Sequence, residues 1–201
     1  MGSVSVGLEN LVYAKLVKDE KGDIQYGEVK DFAPVISAKV DTSSENGTLY
    51  ANNGPIIAKT QIGETKVSLG VSEIPMDVLA DITGQQLVKG VIAFKQDAVP
   101  PYVALGFTGT KEDGTKRMVW LTKGRFGLPT EDRKTAEDKI DFQTDEIEGT
   151  FIQRSDKIFK IVGDSGIPGF EEFESTFFDQ VFDVTKLADT GTTAPTEGGA
   201  A

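Results

Sequence analysis

Residues Glu64 to Ser72 read Glu-Thr-Lys-Val-Ser-Leu-Gly-Val-Ser. Val67, Leu69 and Val71 alternate with Lys66, Ser68 and Gly70, the two-residue period of a strand with one face in a core and the other wet or at an interface. Immediately downstream the period changes. Pro75 suits a first helical position, Val78, Leu79 and Ile82 recur at helical spacing, and Gly84 can close the turn in a left-handed conformation, which predicts one short helix. Upstream, Val35 to Val40 supplies a short strand. The polar stretch Asp41 to Gly54 that follows is interrupted only by Leu49, Tyr50 and Ala51, and it reads as a long loop. Nearer the start, Leu11 to Val17 and a run through Ile24, Tyr26 and Val29 flank the turn-like Asp19 to Asp23, giving strand, turn, strand.

The same alternation continues beyond the helix. Tyr102 to Thr108 and Arg117 to Lys123 flank a loop containing Asp113 and Gly114, and a hairpin is the simplest pairing. Val103, Leu105, Phe107, Val119 and Leu121 then share the core face, while the sole tryptophan, Trp120, falls on the other. That face packs either on a second layer of the same chain or on another subunit. Gly124 to Lys139 is charged, contains Gly127 and Pro129, and reads as an extended loop or hairpin arm. Ile140 and Phe142 are out of phase with Ile147, Gly149 and Phe151, so a bulge or break is expected near Asp145 and Glu146. Phe151, Ile158, Phe159 and Ile161 suggest a final hairpin. Phe173, Phe177, Phe178 and Val181 sit at helix-compatible spacings, predicting a second short helix that docks by its aromatic face.

These elements make a mainly β protein, a β-sandwich or partly closed barrel with one or two short flanking helices. Its 201 residues are read as a single domain over 1–188, and 189–201, rich in Thr, Gly and Ala without an apolar anchor, as a flexible tail.

Composition removes much chemistry. With no cysteine there are no disulfides, thiolate nucleophiles or thiolate metal sites, and with no histidine the commonest general base and metal ligand are missing. Serines and threonines are plentiful, yet no nucleophile elbow is present to use them. Asp19, Asp23 and the group Asp132, Glu137, Asp138, Asp141 match no calcium loop, and Gly124 to Gly127 fits no phosphate fingerprint. No cofactor or metal is expected, and no enzyme, although a pair of catalytic carboxylates remains an open alternative. No apolar run approaches the ~20 residues that span a bilayer, so no membrane partner is expected. A net charge of −11 disfavours tight nucleic-acid binding and suits a conduit through which DNA slides.

Several blocks, in order, carry a family resemblance: Gly7 to Ala14; Tyr26 to Val29 with Ala33 and Pro34; Leu49 to Pro55; Pro101 to Phe107; Val119 to Gly124; and Glu137 to Ile140 with Phe142 to Thr144 and Glu148 to Thr150. Together they resemble the major tail proteins of siphophages infecting Gram-positive hosts, over about Val6 to Phe182. The resemblance implies a tail-tube-like fold arranged as stacked, hexameric rings, a virion protein made in the host bacterial cytoplasm. Its implied partners are copies of itself, the tape-measure, tail-terminator and tail-tip proteins, and DNA passing without specific binding.

By the same resemblance the stretch Asp41 to Ile57 reaches a neighbouring subunit, with Leu49, Tyr50 and Ile56 as apolar anchors. The stretch 124–139, with Arg125 and Phe126, is the second contact, and Trp120 joins these if its face meets another subunit. Glu64, Asp141 and Glu148 are expected on the lumen, where repeated acidic rings keep DNA from sticking. The competing reading is a monomeric β-sandwich recognition module for carbohydrate or adhesion. A single Trp and four Tyr dispersed along the chain make a poor aromatic platform for that role.

Overall fold

The computed structural model describes residues 5–51, 54–131 and 144–187, with backbone alone at 5, 47–51, 54–59, 131, 185 and 186. Eleven strands occur among these residues: β1 (Ser5–Glu20), β2 (Asp23–Asp31), β3 (Val35–Ala51), β4 (Gly54–Val71), β5 (Leu87–Val88), β6 (Val91–Ile92), β7 (Val103–Lys111), β8 (Lys116–Phe126), β9 (Thr130–Glu131), β10 (Asp145–Ile152) and β11 (Lys160–Asp164). Two short helices, α1 (Met76–Thr83) and α2 (Glu171–Glu174), and a 3-10 turn at Val184–Leu187 complete the chain. All strands but β5 and β6 belong to one antiparallel sheet of order β2-β1-β7-β8-β10-β4-β3, with β11 on β8 and β9 on β10.

The alternation in 64–72 is realised as expected: Thr65, Val67, Leu69 and Val71 are buried and Lys66 and Ser68 exposed. Leu11 and Tyr13 from β1, Val103 and Leu105 from β7, Leu121 and Phe126 from β8, and Ile147 and Phe151 from β10 share that core, and Ala38 and Val40 of β3 pack against it. Residues from both ends of the ladder thus meet in one interior, so the sheet curls over its core. β2 and β3 do not pair, and the curl stops short of a closed barrel. α1 fills one end, burying Val78, Leu79 and Ile82. It ends at Gly84 (φ 70°), whose left-handed backbone returns an N–H to the Ala80 carbonyl.

The other face of the sheet is divided. Over β1, β7, β8 and β11 it is covered by the C-terminal segment, where Phe177, Val181 and Phe182 pack on Val12, Ala14, Ala104, Met118, Trp120 and Ile161. Trp120 is 0% exposed and donates its indole N–H to the Phe177 carbonyl at 2.9 Å. Gly106 permits this closeness, since a Cβ there would meet Val12, Phe178 and Trp120 at 2.8–2.9 Å. Over β10, β4 and β3 nothing among the described residues covers the same face.

Three expectations change. Asp41 to Gly54 is no loop: β3 runs unbroken through Asp41 to Ala51 and pairs with β4 down to Ala51↔Gly54. Its Ser and Thr residues are compatible with strand geometry and satisfy one another across it, as Thr42 does with Thr65 at 3.0 Å and Thr60 with Asn46 at 2.7 Å. Gly124 to Phe126 closes β8 instead of opening a loop; residues 132–139 lie outside the described residues. Of the bulge or break expected near Asp145 and Glu146, the described residues show the start of β10 at Asp145, which is buried and accepts the Ile74 N–H at 3.2 Å; Ile140 and Phe142 lie outside the described residues.

The last change concerns the C-terminal third. β11 makes no hairpin with β10. Both run antiparallel to β8, β10 beside 123–126 and β11 beside 117–121, joined by an excursion over 153–159. The second helix holds only Glu171–Glu174, and the aromatic docking expected of it is made instead by the irregular turns after it. The interval 189–201 lies outside the described residues.

Trp120 reports on this aromatic layer because it is the only tryptophan. Phe177→Ala is expected to destabilise the fold by about 3–5 kcal/mol and to red-shift Trp120 emission. Chemical denaturation followed by tryptophan fluorescence checks both.

Candidate assembly interface

The β3–β4 ladder outruns the rest of the sheet. β10 accompanies β4 only from Thr65 to Val71. From Ser44↔Ile62 to Ala51↔Gly54 the two strands, among the described residues, pair only with each other. Ser43 to Asn46 and Thr60 to Glu64 are exposed on both faces, and Ile62 is 55% exposed. This is a two-stranded ribbon standing off the body. Such a ribbon has marginal stability by itself and gains most from a surface to lie on. The whole outer edge of β3, 17 residues, also lacks a ladder partner among the described residues. Open backbone edges of this length invite pairing with another chain.

The bare half-face adjoins the ribbon. Across it, Asp41 sits beside Lys66, Lys66 beside Thr150, and Thr150 beside Arg125; one step along, Lys39 pairs with Ser68 and Ser68 with Glu148. Glu64 and Glu148 therefore share an exposed face. They are interspersed there with Lys39, Lys66 and Arg125, and Glu64 lies 3.6 Å from the Lys66 ammonium. The face is of mixed sign. Much of the chain's acidity lies elsewhere, for instance on Glu171, Glu172, Glu174, Asp179 and Asp183 of the C-terminal segment. Asp141 lies outside the described residues.

Of the expected contact residues, Arg125 is exposed and stacks its guanidinium 3.9 Å from the centroid of Tyr102. Phe126 is 2% exposed and packs edge-on against Phe151. Trp120 lies beneath its own C-terminal segment, so of the two readings of its face the second layer of the same chain is the one realised. Phe126 and Trp120 are core residues in the subunit. Leu49, Tyr50 and Ile56 lie on the ribbon backbone, and their side chains fall outside the described residues.

Three ion-pair clusters hold this frame. Asp81 of α1 takes Lys15 at 2.8 Å, Lys30 at 2.9 Å and the Tyr13 hydroxyl at 3.1 Å, tying the helix to β1 and β2. Burial opposes its charge, but the lysine hydrogen bonds prevail and hold the carboxyl below its ordinary range. Asp19 joins Lys123 at 2.6 Å to the Ser155 N–H at 2.9 Å. Asp164 of β11 takes Lys111 at 2.6 Å, Arg117 at 3.0 Å and the Gly166 N–H at 3.1 Å. The Lys111 hydrogen bond leads in lowering the Asp164 carboxyl to about 2. Sequence reading passed over all three, because each joins residues 47 or more positions apart through registers that one sequence does not display. No group of carboxylates among the described residues is arranged to hold a metal ion.

No family model and no curated protein matches this sequence. Among solved structures, the chain is similar to the tube-terminating cap of the anti-feeding prophage, with 10% identity over 82% of this chain and 96% of that one and a TM-score of 0.49. It is also similar to a chain of the sheath-tube complex of an extracellular contractile injection system in the extended state (12% identity, 77% and 88% covered, TM-score 0.43). A third likeness is to a chain of the six-fold symmetrised anti-feeding prophage baseplate (8% identity, 81% and 97% covered, TM-score 0.42). Overlaps of this extent are likenesses of outline, and no residue role passes across them.

The Asp164 cluster gives a pH signature. Its carboxyl is depressed from the ordinary ~3.9, so its contribution is fully present above about pH 4 and fades as pH falls through about 2. Asp164→Asn is therefore expected to cost stability at pH 6 and to cost progressively less toward pH 2, measured as the difference in denaturant midpoint between the two proteins.

Proposed function

We propose that this chain is a self-assembling structural subunit, the building block of a phage tail tube. The observation that carries the reading is the β3–β4 ribbon, exposed on both faces at 43–46 and 60–64 and, among the described residues, paired only with itself and open along the outer edge of β3. An unclosed curl of sheet whose free edge continues into a projecting ribbon can be completed by another copy. Joining copies edge to edge around an axis makes a ring, and ribbon contacts repeated along the axis make an open filament. The sequence resemblance supplies the finer terms of the proposal. These are hexameric rings, stacked into the tail tube of a siphophage, contacting tape-measure, terminator and tip proteins and passing DNA at ejection.

In that assembly the bare face of β10, β4 and β3 is the candidate lumen wall, carrying Glu64 and Glu148. Its mixture of carboxylates with Lys39, Lys66 and Arg125 repels a phosphate backbone less than an all-acidic ring would, while offering no continuous basic track to hold it. The absence of histidine and cysteine is consistent with a structural role, in which no group has to exchange a proton at neutral pH or form a covalent intermediate.

Negative-stain electron microscopy of the concentrated protein is the test, with sizing chromatography to record the starting species. Hollow tubes or stacked rings are expected. Monodisperse monomers at every concentration would overturn the reading in favour of a recognition module. Replacing residues 44–62 by an Asn-Gly turn leaves the buried core untouched and is expected to give a folded monomer that forms no tubes. Tyr50→Asp is expected to weaken polymerisation in the same assay.

A further inference from the structure

The ribbon leaves the body of the subunit at a defined joint. Thr42↔Thr65 and Ser44↔Ile62 are successive pairs of the β3–β4 ladder, so between them β3 uses one residue, Ser43, and β4 uses two, Glu64 and Gly63. This is a β-bulge with its extra residue on β4. β10 stops pairing at the same place, its last partner on β4 being Thr65. Burial changes there too: Thr65 is 1% exposed, while residues 60–64 are all exposed. Backbone pairing, burial and register therefore break at one point, the root of the ribbon.

The side chains around the break are fitted to it. The Ser43 hydroxyl donates to the Glu64 carbonyl at 3.0 Å, giving a partner to a backbone group where the ladder is interrupted. On the body side the hydroxyls of Thr42 and Thr65 share a hydrogen bond at 3.0 Å, and on the ribbon side Thr60 donates to Asn46 at 2.7 Å. Gly63 leaves room for the arrangement, since a Cβ at that position would strike the Ser43 hydroxyl. An extra residue bends the strand that carries it and increases the local twist, so the ribbon cannot continue in the direction of the sheet.

We infer that the bulge formed by Ser43, Gly63 and Glu64 is an aiming joint, which sets the angle at which the ribbon leaves the body and so directs its root before a second copy is met. The angle is a property of the single subunit, and its purpose rests on the assembly reading. A root that is already pointed loses less freedom on contact, which strengthens association without adding a contact. Outward of Asn46 the ribbon keeps the marginal stability of any two-stranded ladder.

Deletion of Gly63 isolates the joint. It leaves Glu64 alone opposite Ser43, so the pairs from Thr65 inward and from Ile62 outward are all retained and only the extra residue is lost. The chain has no cysteine, and cysteines introduced at Lys59 on β4 and at the exposed Glu28 on β2 are then the only thiols for spin labels. Double electron–electron resonance on the dilute subunit reads the distance between them. The four residues from Gly63 to Lys59 make a lever of about 13 Å, and the deletion is expected to move the mean distance by several ångströms. Gly63→Ala keeps the extra residue but drives a Cβ against the Ser43 hydroxyl, and it is expected to move the mean distance as well; it carries the test if the deletion variant does not fold, as circular dichroism will show. In the electron-microscopy assay the deletion is expected to raise the concentration needed for tubes on the order of tenfold.

If neither variant moves the mean distance, the bulge does not aim the ribbon, and the inference falls while the assembly reading stands. If the distance moves but tubes form as readily as from the natural protein, the angle serves no contact, and the inference falls again. If the natural protein forms no tubes at any concentration, the assembly reading fails and the purpose of the joint with it, and the distance measured on the subunit alone decides whether the joint exists.

Discussion

Strand β8 has a ladder on both edges and a core on both faces, and the rest of the molecule is arranged around that double demand. One edge pairs with β7 from Lys116 to Gly124; the other is shared end to end by β11 and β10. Leu121 and Phe126 point into the curl, while Met118 and Trp120 point outward. A buried strand leaves no backbone N–H or C=O for water to satisfy, so both edges have to be occupied. The excursion over 153–159 is how the chain meets this with two short strands. Because the outward side chains include a tryptophan, a second layer is needed over that half of the sheet, and the aromatic C-terminal segment provides it.

Away from β8 the satisfaction of the backbone falls off by degrees. β1 is paired on one edge or the other along its length and on both over 12–15, β4 on both over its second half, and β3 on one edge only among the described residues. The molecule is thus closed in the middle and open at its margins, and the open margin is continuous with the ribbon. The ion-pair clusters at Asp81, Asp19 and Asp164 sit where separate elements meet: α1 on β1 and β2, β1 on the 153–159 excursion, β11 on β7 and β8. They fix the angles at which the layers join, and the apolar packing within each layer does not depend on them.

Local pattern conveyed the parts of this fold that local physics determines. The alternation at 64–72, the hairpin around Asp113 and Gly114 and the helix closed by Gly84 all follow from period and turn chemistry within a dozen residues. The ribbon did not. Its Ser, Thr, Asn and Gly residues carry no apolar alternation, and a strand exposed on both sides, as at 43–46 and 60–64, is indistinguishable from a loop by pattern alone. Phe126 reads as a contact residue because of its charged surroundings, although its phase with Gly124 places it in the core. The β5–β6 hairpin was overlooked because two-residue strands are too short to show a period. Side-chain contacts of the candidate site fared worst, since which side of β8 Trp120 occupies is visible locally but what lies over it is 57 residues away.

The ribbon's weak intrinsic stability also bears on time. If a subunit holds its ribbon only loosely until it lies on a neighbour, the first encounter between two free subunits carries the full entropic cost of ordering it with only one contact to offset that cost. A subunit arriving at an existing end meets a surface already in place. Growth is then fast and spontaneous initiation slow, so a pool of subunits stays soluble until a preformed end appears. The polar composition of the ribbon strands reinforces this lag, because Ser43 to Asn46 and Thr60 to Gln61 give solvent no reason to drive them together prematurely. In the assembly proposed above, a stretch of sequence with no apolar pattern would thereby act as a timer, setting when the polymer starts as well as where its subunits touch.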